Sequence, residues 1–232
     1  MILLTGIVDL PAHNFMHLLI DLDGTLTDPF PGITKCIQHA LSALGHPVPS
    51  AKSLRWCIGP PLRQSFVMLL GREHEYLADE ALAKYRERFG AIGLFENTVY
   101  SGIEPALDEL NASGHELSVA TSKPTIYAQR IIDHFGLGKY FRSVNGSEMD
   151  GAHADKSSLI AHILKRDAIA PNDALMIGDR EHDMAGARRI HVAGIGVLWG
   201  YGSREELEAA GACACVASPK ELPDAVRQFS IF

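Results

Sequence analysis

The stretch Ile20-Asp21-Leu22-Asp23-Gly24-Thr25 sets two carboxylates two positions apart at the end of an apolar run. Strand side chains alternate between faces, so Asp21 and Asp23 share a face if the run is a strand. Like charges on one face repel and must give up water. More chemistry recurs along the chain at the ends of other apolar runs. Thr121-Ser122-Lys123 closes one, and Gly178-Asp179 closes another, with Asp183 four residues on. Lys156 opens the helical pattern that precedes Gly178. Crowded hard oxygen donors suit Mg²⁺, which binds one or two carboxylates plus substrate phosphate. That points to phosphoryl transfer, with one carboxylate attacking phosphorus to give an aspartyl-phosphate. Mg²⁺ and a lysine would offset the repulsion between the anionic nucleophile and the anionic phosphate.

The elements that must position these groups follow from periodicity. Residues 17–22 predict a short buried strand. From 29 to 97 the spacing is helical, with Ile33, Ile37, Ala40, Leu41 and Leu44, then Leu62, Phe66 and Leu69, then Leu82, Tyr85 and Phe89. Gly45 stops the first of these helices. Beyond residue 98, strand and helix patterns alternate, with Pro124 placed in the first turn of the helix after Thr121. Weaker segments near 214–217 and 219–229 finish the chain. Alternation implies right-handed crossovers and a parallel sheet covered on both faces. The expected fold class is α/β, a doubly wound, Rossmann-like parallel sheet with a helical insertion. Ligands bind at the carboxyl ends of such strands. A strand order of 3-2-1-4-5 would gather Asp21, Asp23, Thr121 and Asp179 around one small space.

Composition narrows the partners. The chain has 232 residues and a formal charge of −7, which argues against a nucleic-acid polymer. No apolar run approaches the roughly 18 residues of a membrane span. The four cysteines, Cys36, Cys57, Cys213 and Cys215, form no CxxC pair, which suits a reduced, cytoplasmic chain. Cys213 and Cys215 are read as small residues of a late strand and its lead-in, with a soft-metal CxC pair as the alternative. The eleven histidines include no HxH or HExxH pattern. Residues 1–16 lack the basic region and cleavage site of a signal peptide and are read as a leader of unknown role.

"DLDGTLTD" at 21–28, "VATSK" at 119–123, "DK" at 155–156 and "GDREHD" at 178–183 resemble, in order, the four motifs of the haloacid dehalogenase-like superfamily. The resemblance covers nearly everything from residue 17 onward. It implies a catalytic core of residues 17–28 and 98–232 and an α-helical cap of residues 29–97. It implies Asp21 as nucleophile, also on Mg²⁺. Asp23 would be general acid/base, with its backbone carbonyl on the metal. Thr121, with Ser122 and nearby N–H groups, would hold phosphate oxygens. Lys156 would bridge phosphate and nucleophile, and Asp179 would bind Mg²⁺. Asp183 would orient Lys156 or a metal-bound water, with a helix N-cap as its other possible role. Gly24 and Thr25 belong to the substrate loop, and Gly24 permits a sharp exit from the strand. Lys123 competes with Lys156 for the lysine role.

Retention of Asp23 favours phosphoester hydrolysis over dehalogenation, because an alkoxide needs a proton on leaving. In the insertion, "CIGPPL" at 57–62 makes a stiff turn before a helix whose first turn carries Arg63. Arg63 either meets an anionic substrate group or is a solvated arginine on a surface helix; Arg55 is a weaker candidate. "CIGPPL" and "GSEMDGAHADK" at 146–156 are similar to the phosphoglycolate phosphatase-like branch, which includes 5'-nucleotidase-like members. The expected substrate is a small phosphorylated metabolite, phosphoglycolate or a nucleoside 5'-monophosphate, acted on by a monomer or homodimer. The alternatives are a sugar-phosphate phosphomutase and a catalytically silent phosphate-binding module. The glycine-rich "GIGVLWGYG" at 194–202 is a buried strand and a loop near the site rim.

Overall fold

Three consecutive apolar residues, Leu18, Leu19 and Ile20, are almost wholly buried, as expected of a strand covered on both faces. A computed structural model describes residues 15–229; residues 1–14, most of the expected leader, lie outside the described residues. In chain order the elements are β1 (His17–Ile20), β2 (Thr27–Asp28), α1 (Phe30–Ala43), α2 (Leu62–Leu70), α3 (Ala78–Ala91), β3 (Thr98–Val99) and α4 (Ile103–Ala112). There follow β4 (Glu116–Pro124), α5 (Thr125–His134), β5 (Ser143–Ser147), α6 (Lys156–Asp167), β6 (Ala174–Gly178), α7 (Glu181–Arg189), β7 (Ala193–Val197), α8 (Arg204–Ala210), β8 (Ala214–Val216) and α9 (Leu222–Phe229). Short 3-10 segments, including Ala51–Cys57 and Arg72–Leu77, link the inserted helices.

Six parallel strands form one sheet in the order β5-β4-β1-β6-β7-β8. β1 is central, with His17 opposite Glu116 on one side and Ala174 on the other. Strand alternation then sorts the core. Leu18 and Ile20 join a cluster with Leu107, Leu110, Ile131 and Val226. Leu19 joins Ile160, Ile163, Met176 and Met184 beneath α6 and α7. Each such side chain contributes about 1.5–3 kcal/mol when fully buried. No helix among the described residues is long and apolar enough to cross a membrane.

The insertion is helical, as its spacing requires. Ile33, Ile37, Ala40 and Leu41 of α1 are buried, and the helix gives way to Gly45 at φ +69°. Two features differ from expectation. A two-stranded antiparallel ribbon, β2 with β3, joins the insertion to the sheet, with Thr27 opposite Val99. And Pro124 is the last residue of β4 rather than part of α5. The residue before proline is pushed out of the helical region, and Pro124 itself sits at φ −54°, ψ 133°, so the chain stays extended through Lys123-Pro124.

Candidate active site

The carboxyl ends of β1, β4 and β6 lie side by side, and the first residues after β1 and β6, Asp21 and Asp179, are acids. Asp21 extends β1, its N–H donating to the Ile177 carbonyl at 2.9 Å. A tight loop follows, in which the Gly24 N–H donates to the Thr27 carbonyl and Thr27 N–H to the Leu22 carbonyl. Gly24 turns at φ +87°, and a Cβ there would lie 2.1 Å from Asp179 Oδ2, so neither backbone nor space admits a side chain. The loop brings Asp23 back over the strand end.

Lys156 is the hub. It is the first residue of α6, whose N-cap Asp155 accepts from the Ser158 N–H at 3.0 Å. Its Nζ lies 3.0 Å from Asp21 Oδ1, 2.7 Å from Asp183 Oδ1 and 2.9 Å from the Ala120 carbonyl. Burial pulls its ammonium pKa down, but Asp183 and Asp21 outweigh burial and leave it above the ordinary value. Asp183 also accepts from the Arg180 N–H at 3.1 Å through Oδ2, so it caps α7 and orients the lysine together. Burial, against the pull of Lys156, pushes the Asp183 carboxyl up to about 6.

Asp179 is fully buried with no ion-pair partner among the described residues. Its Oδ2 accepts from the Tyr201 N–H at 2.8 Å. Burial first, then the charges of Asp183 and Asp21, hold its carboxyl well above the ordinary range. One oxygen from each of Asp21, Asp179 and Asp183 lies within 4.8 Å of the others. Lys123 does not compete for Asp21. Its Nζ pairs with Asp23 Oδ2 at 2.8 Å and stands 4.5 Å from the centre of the Phe89 ring. Asp23 Oδ1 is buried without a partner, and burial raises the Asp23 carboxyl despite Lys123.

Four carboxylates, Asp21, Asp23, Asp179 and Asp183, thus face two ammonium groups, Lys123 and Lys156. The excess of two negative charges and the all-oxygen donor set fit a divalent hard cation. The residues that would hold it are Asp21, Asp179 and Asp183.

The inserted helices roof this end of the sheet and enclose a cavity of about 470 Å³. Asp21, Asp23, Thr121, Ser122, Lys156 and Asp183 line its floor, and residues 59–63 and 79–89 contribute to its walls. Contacts across the seam hold the roof down. Arg180 donates to the Ile58 carbonyl at 2.6 Å and to Glu206 at 2.8 Å. Arg55 donates to the Gly200 carbonyl at 3.0 Å, with its guanidinium 4.4 Å from the Tyr201 ring centre.

Three expected site residues are placed differently from the rest. Arg63 lines the cavity, but its fork is closed on Asp79 at 2.7 and 3.0 Å. Gly24 and Thr25 are absent from the cavity wall; the Thr25 hydroxyl faces Asp179 Oδ1 at 3.5 Å. Their place is behind Asp179. The loop after β7 also buttresses Asp179, for Trp199 Nε1 donates to the Thr25 carbonyl at 2.9 Å beside the Tyr201 contact. Sequence reasoning put that loop near the rim but missed this role, because a backbone N–H does the holding. It also missed the Lys123–Asp23 pair and the aromatic wall of Tyr85, Phe89 and Tyr127. Two of those rings, at i and i+4 of α3, carry the same signal as any core-facing helix stripe.

Comparison with known proteins agrees with this geometry. The family described as haloacid dehalogenase-like hydrolase matches residues 18–197. The chain is 48% identical over 198 residues to a 5'-nucleotidase of Pseudomonas aeruginosa, covering 85% of this chain and 89% of the relative. It is 36% identical over 199 residues to the tyrosine-protein kinase PtkA of Mycobacterium tuberculosis, covering 85% of this chain and 67% of the relative. The crystal structure of a predicted phosphatase from Clostridium acetobutylicum superposes with a TM-score of 0.88 at 42% identity, covering 93% of this chain and 99% of that one.

Proposed function

The chain belongs to the haloacid dehalogenase-like hydrolase family, and from that premise we propose that it is a Mg²⁺-dependent phosphatase working through an aspartyl-phosphate on Asp21. Its substrates are small phosphomonoesters, with nucleoside 5'-monophosphates and phosphoglycolate as the leading classes; relatives include a 5'-nucleotidase and a phosphoglycolate phosphatase. The observation that carries the proposal is the division of labour between Asp21 and Asp23. Lys156 fixes Asp21 by one oxygen. Asp23 keeps a buried, unpartnered oxygen and a raised pKa.

The chemistry follows from those states. A carboxylate oxygen of Asp21 forms a bond to phosphorus as the bond to the leaving oxygen breaks. Asp23, whose neutral form burial favours against the pull of Lys123, gives its proton to that oxygen. The Asp23 carboxylate then takes a proton from water as the water oxygen attacks phosphorus. The acyl-phosphate bond breaks, phosphate leaves, and Asp21 is restored. Thr121 and neighbouring N–H groups hold phosphoryl oxygens, while Lys156 keeps the nucleophile oriented. Asp21, Asp179 and Asp183 would hold a Mg²⁺ ion, whose chemistry there would be to neutralise phosphoryl charge.

The test is phosphate release from a phosphomonoester panel with Mg²⁺ and with EDTA, for the wild type and Asp21→Asn. Metal-dependent release that Asp21→Asn abolishes is the expected result. Release that persists in Asp21→Asn would remove the nucleophile assignment. Isomerisation of a sugar phosphate without free phosphate would replace hydrolysis with mutase chemistry.

A further inference from the structure

The pair of Lys123 with Asp23 takes no part in the steps above, yet the chain is built around it. Lys123 and Thr121 both line the cavity, two residues apart in a stretch that stays extended. The backbone at Lys123 is fixed from several sides. Its N–H donates to the Thr121 hydroxyl at 3.3 Å, and the Ser147 hydroxyl of β5 donates to the Ser122 carbonyl at 2.9 Å. The Lys123 carbonyl passes so near Gly146 that a Cβ there would lie 2.3 Å from it, which leaves no room for a side chain. The irregular end of β4 therefore has one defined path, and that path brings one lysine to one acid.

The side chain is as confined as the backbone. It is 6% exposed, and its Nζ lies 2.8 Å from Asp23 Oδ2. The centre of the Phe89 ring lies 4.5 Å from the same Nζ. Phe89 comes from α3 of the inserted helices and is almost wholly buried. A stack on Tyr85 at 5.2 Å and an edge contact with Tyr127 at 5.4 Å lock it in turn. The ammonium is thus clamped between an acid of the sheet and a ring of the roof. Stripped of water, a cation is drawn to both more strongly than it would be in solvent. The consequence falls on Asp23. With Oδ2 anchored the carboxyl is held against rotation, and Oδ1, buried and without a partner, is the oxygen left to carry a proton. Lys156 does not duplicate this hold, since its contacts are Asp21, Asp183 and the Ala120 carbonyl.

We propose that Lys123 is a positioning residue for proton transfer: clamped by Phe89, it fixes Asp23 Oδ2 so that Oδ1 is presented to the leaving oxygen. The proposal rests on the phosphatase reading above and assigns the group that sets its acid. The proton passes from Asp23 Oδ1 to the ester oxygen as the phosphorus–oxygen bond breaks. Lys123 keeps all its own protons, and its charge faces the carboxylate that the transfer leaves behind. Because the ring belongs to the inserted helices, the roof helps to set the acid as well as to enclose the substrate.

The experiment compares kcat/KM for p-nitrophenyl phosphate with kcat/KM for two alkyl esters, ribose 5-phosphate and adenosine 5'-monophosphate. A nitrophenolate leaves without a proton and an alkoxide needs one, so the aryl-to-alkyl ratio reads the acid and cancels any uniform loss of binding. General acid catalysis contributes about 10²–10⁴-fold. Lys123→Met, which keeps the length of the stem, should therefore raise the ratio by about tenfold or more. Phe89→Leu should raise it by about two- to fivefold, and carries the same test if Lys123→Met does not fold. Added to Asp23→Asn, Lys123→Met should leave the ratio where Asp23→Asn put it, because a residue that acts through Asp23 then has nothing to position. Equal loss on aryl and alkyl esters, or a ratio that climbs again in the double variant, with release still lost in Asp21→Asn, overturns the inference and leaves the phosphatase standing. No release from any ester by the wild type overturns both.

Discussion

Asp179→Asn should stabilise the metal-free protein and remove the stabilisation that Mg²⁺ brings. Asp179 is fully buried, lacks a cation partner among the described residues, and lies within 4.8 Å of oxygens from Asp21 and Asp183. Two unit charges at that separation repel by about 3 kcal/mol at an effective dielectric of about 20. Because Asp179's folded pKa is raised, wild-type protein escapes part of this by taking a proton. By linkage, its favourable contribution is full below the unfolded pKa of 3.8 and is lost as pH rises through the raised folded value. The amide is neutral at every pH and keeps an oxygen for the Tyr201 N–H. The net relief at pH 8 is therefore about 1–2 kcal/mol, or roughly 2–8 °C for a chain this size. It should shrink toward pH 5. In the wild type, Mg²⁺ at a hundredfold its Kd adds about 2.7 kcal/mol, roughly 5–11 °C. Thermal melts in EDTA and in Mg²⁺ at both pH values measure all of this. An Asp179→Asn protein that melts lower in EDTA and keeps the full Mg²⁺ shift would refute the cluster as a strained cation site.

Other perturbations test the supports of the site. In Gly200→Ala the new methyl would lie 2.4 Å from Asp179 Oδ2 and 2.4 Å from the Gly24 carbonyl, so kcat should fall about 100-fold. Gly138→Ala, whose methyl meets nothing nearer than 3.9 Å, is the steady-state control and should retain activity. Arg180→Met removes the 2.6 Å bond to the Ile58 carbonyl; limited proteolysis within residues 50–62 should accelerate, and KM should rise. Iodoacetamide at pH 8 should label exposed Cys213 and spare Cys57, whose thiol burial pushes up to about 11. That leaves about one Cys57 in a thousand as thiolate, and mass spectrometry of peptides reads the difference.

The central sheet was legible because its signals are long or repeated. β1 carries an uninterrupted apolar run, and strand–helix alternation plus handedness then gives the order in which Asp21, Thr121 and Asp179 become neighbours. The acids were legible for the same reason: they sit where strands end. What escaped has a different character. β2 and β3 are two residues each, too short to show a period. The contact of Lys123 with Asp23 depends on the irregular end of β4 between Ala120 and Pro124, where the register shifts. The hold on Asp179 is a backbone N–H, which every residue but proline owns. And Arg63, in the first turn of α2 as expected, turned out to face an acid on the neighbouring helix, a pairing across 16 residues that no local pattern encodes.

The ribbon of β2 and β3 has a consequence for how such a chain tolerates change. The chain leaves the sheet at Thr27 and returns at Val99, and these two residues are paired across the ribbon. The Tyr100 N–H closes the same gap on the Leu26 carbonyl at 3.1 Å. A segment whose two ends already touch imposes little closure entropy on its host, and the penalty grows only slowly with its length. The sheet with its acids therefore behaves as a socket and the helices between the ribbon strands as a plug. Another plug with adjacent ends could be spliced at the same two residues, changing the roof of the cavity while the acids at the strand ends stay where they are.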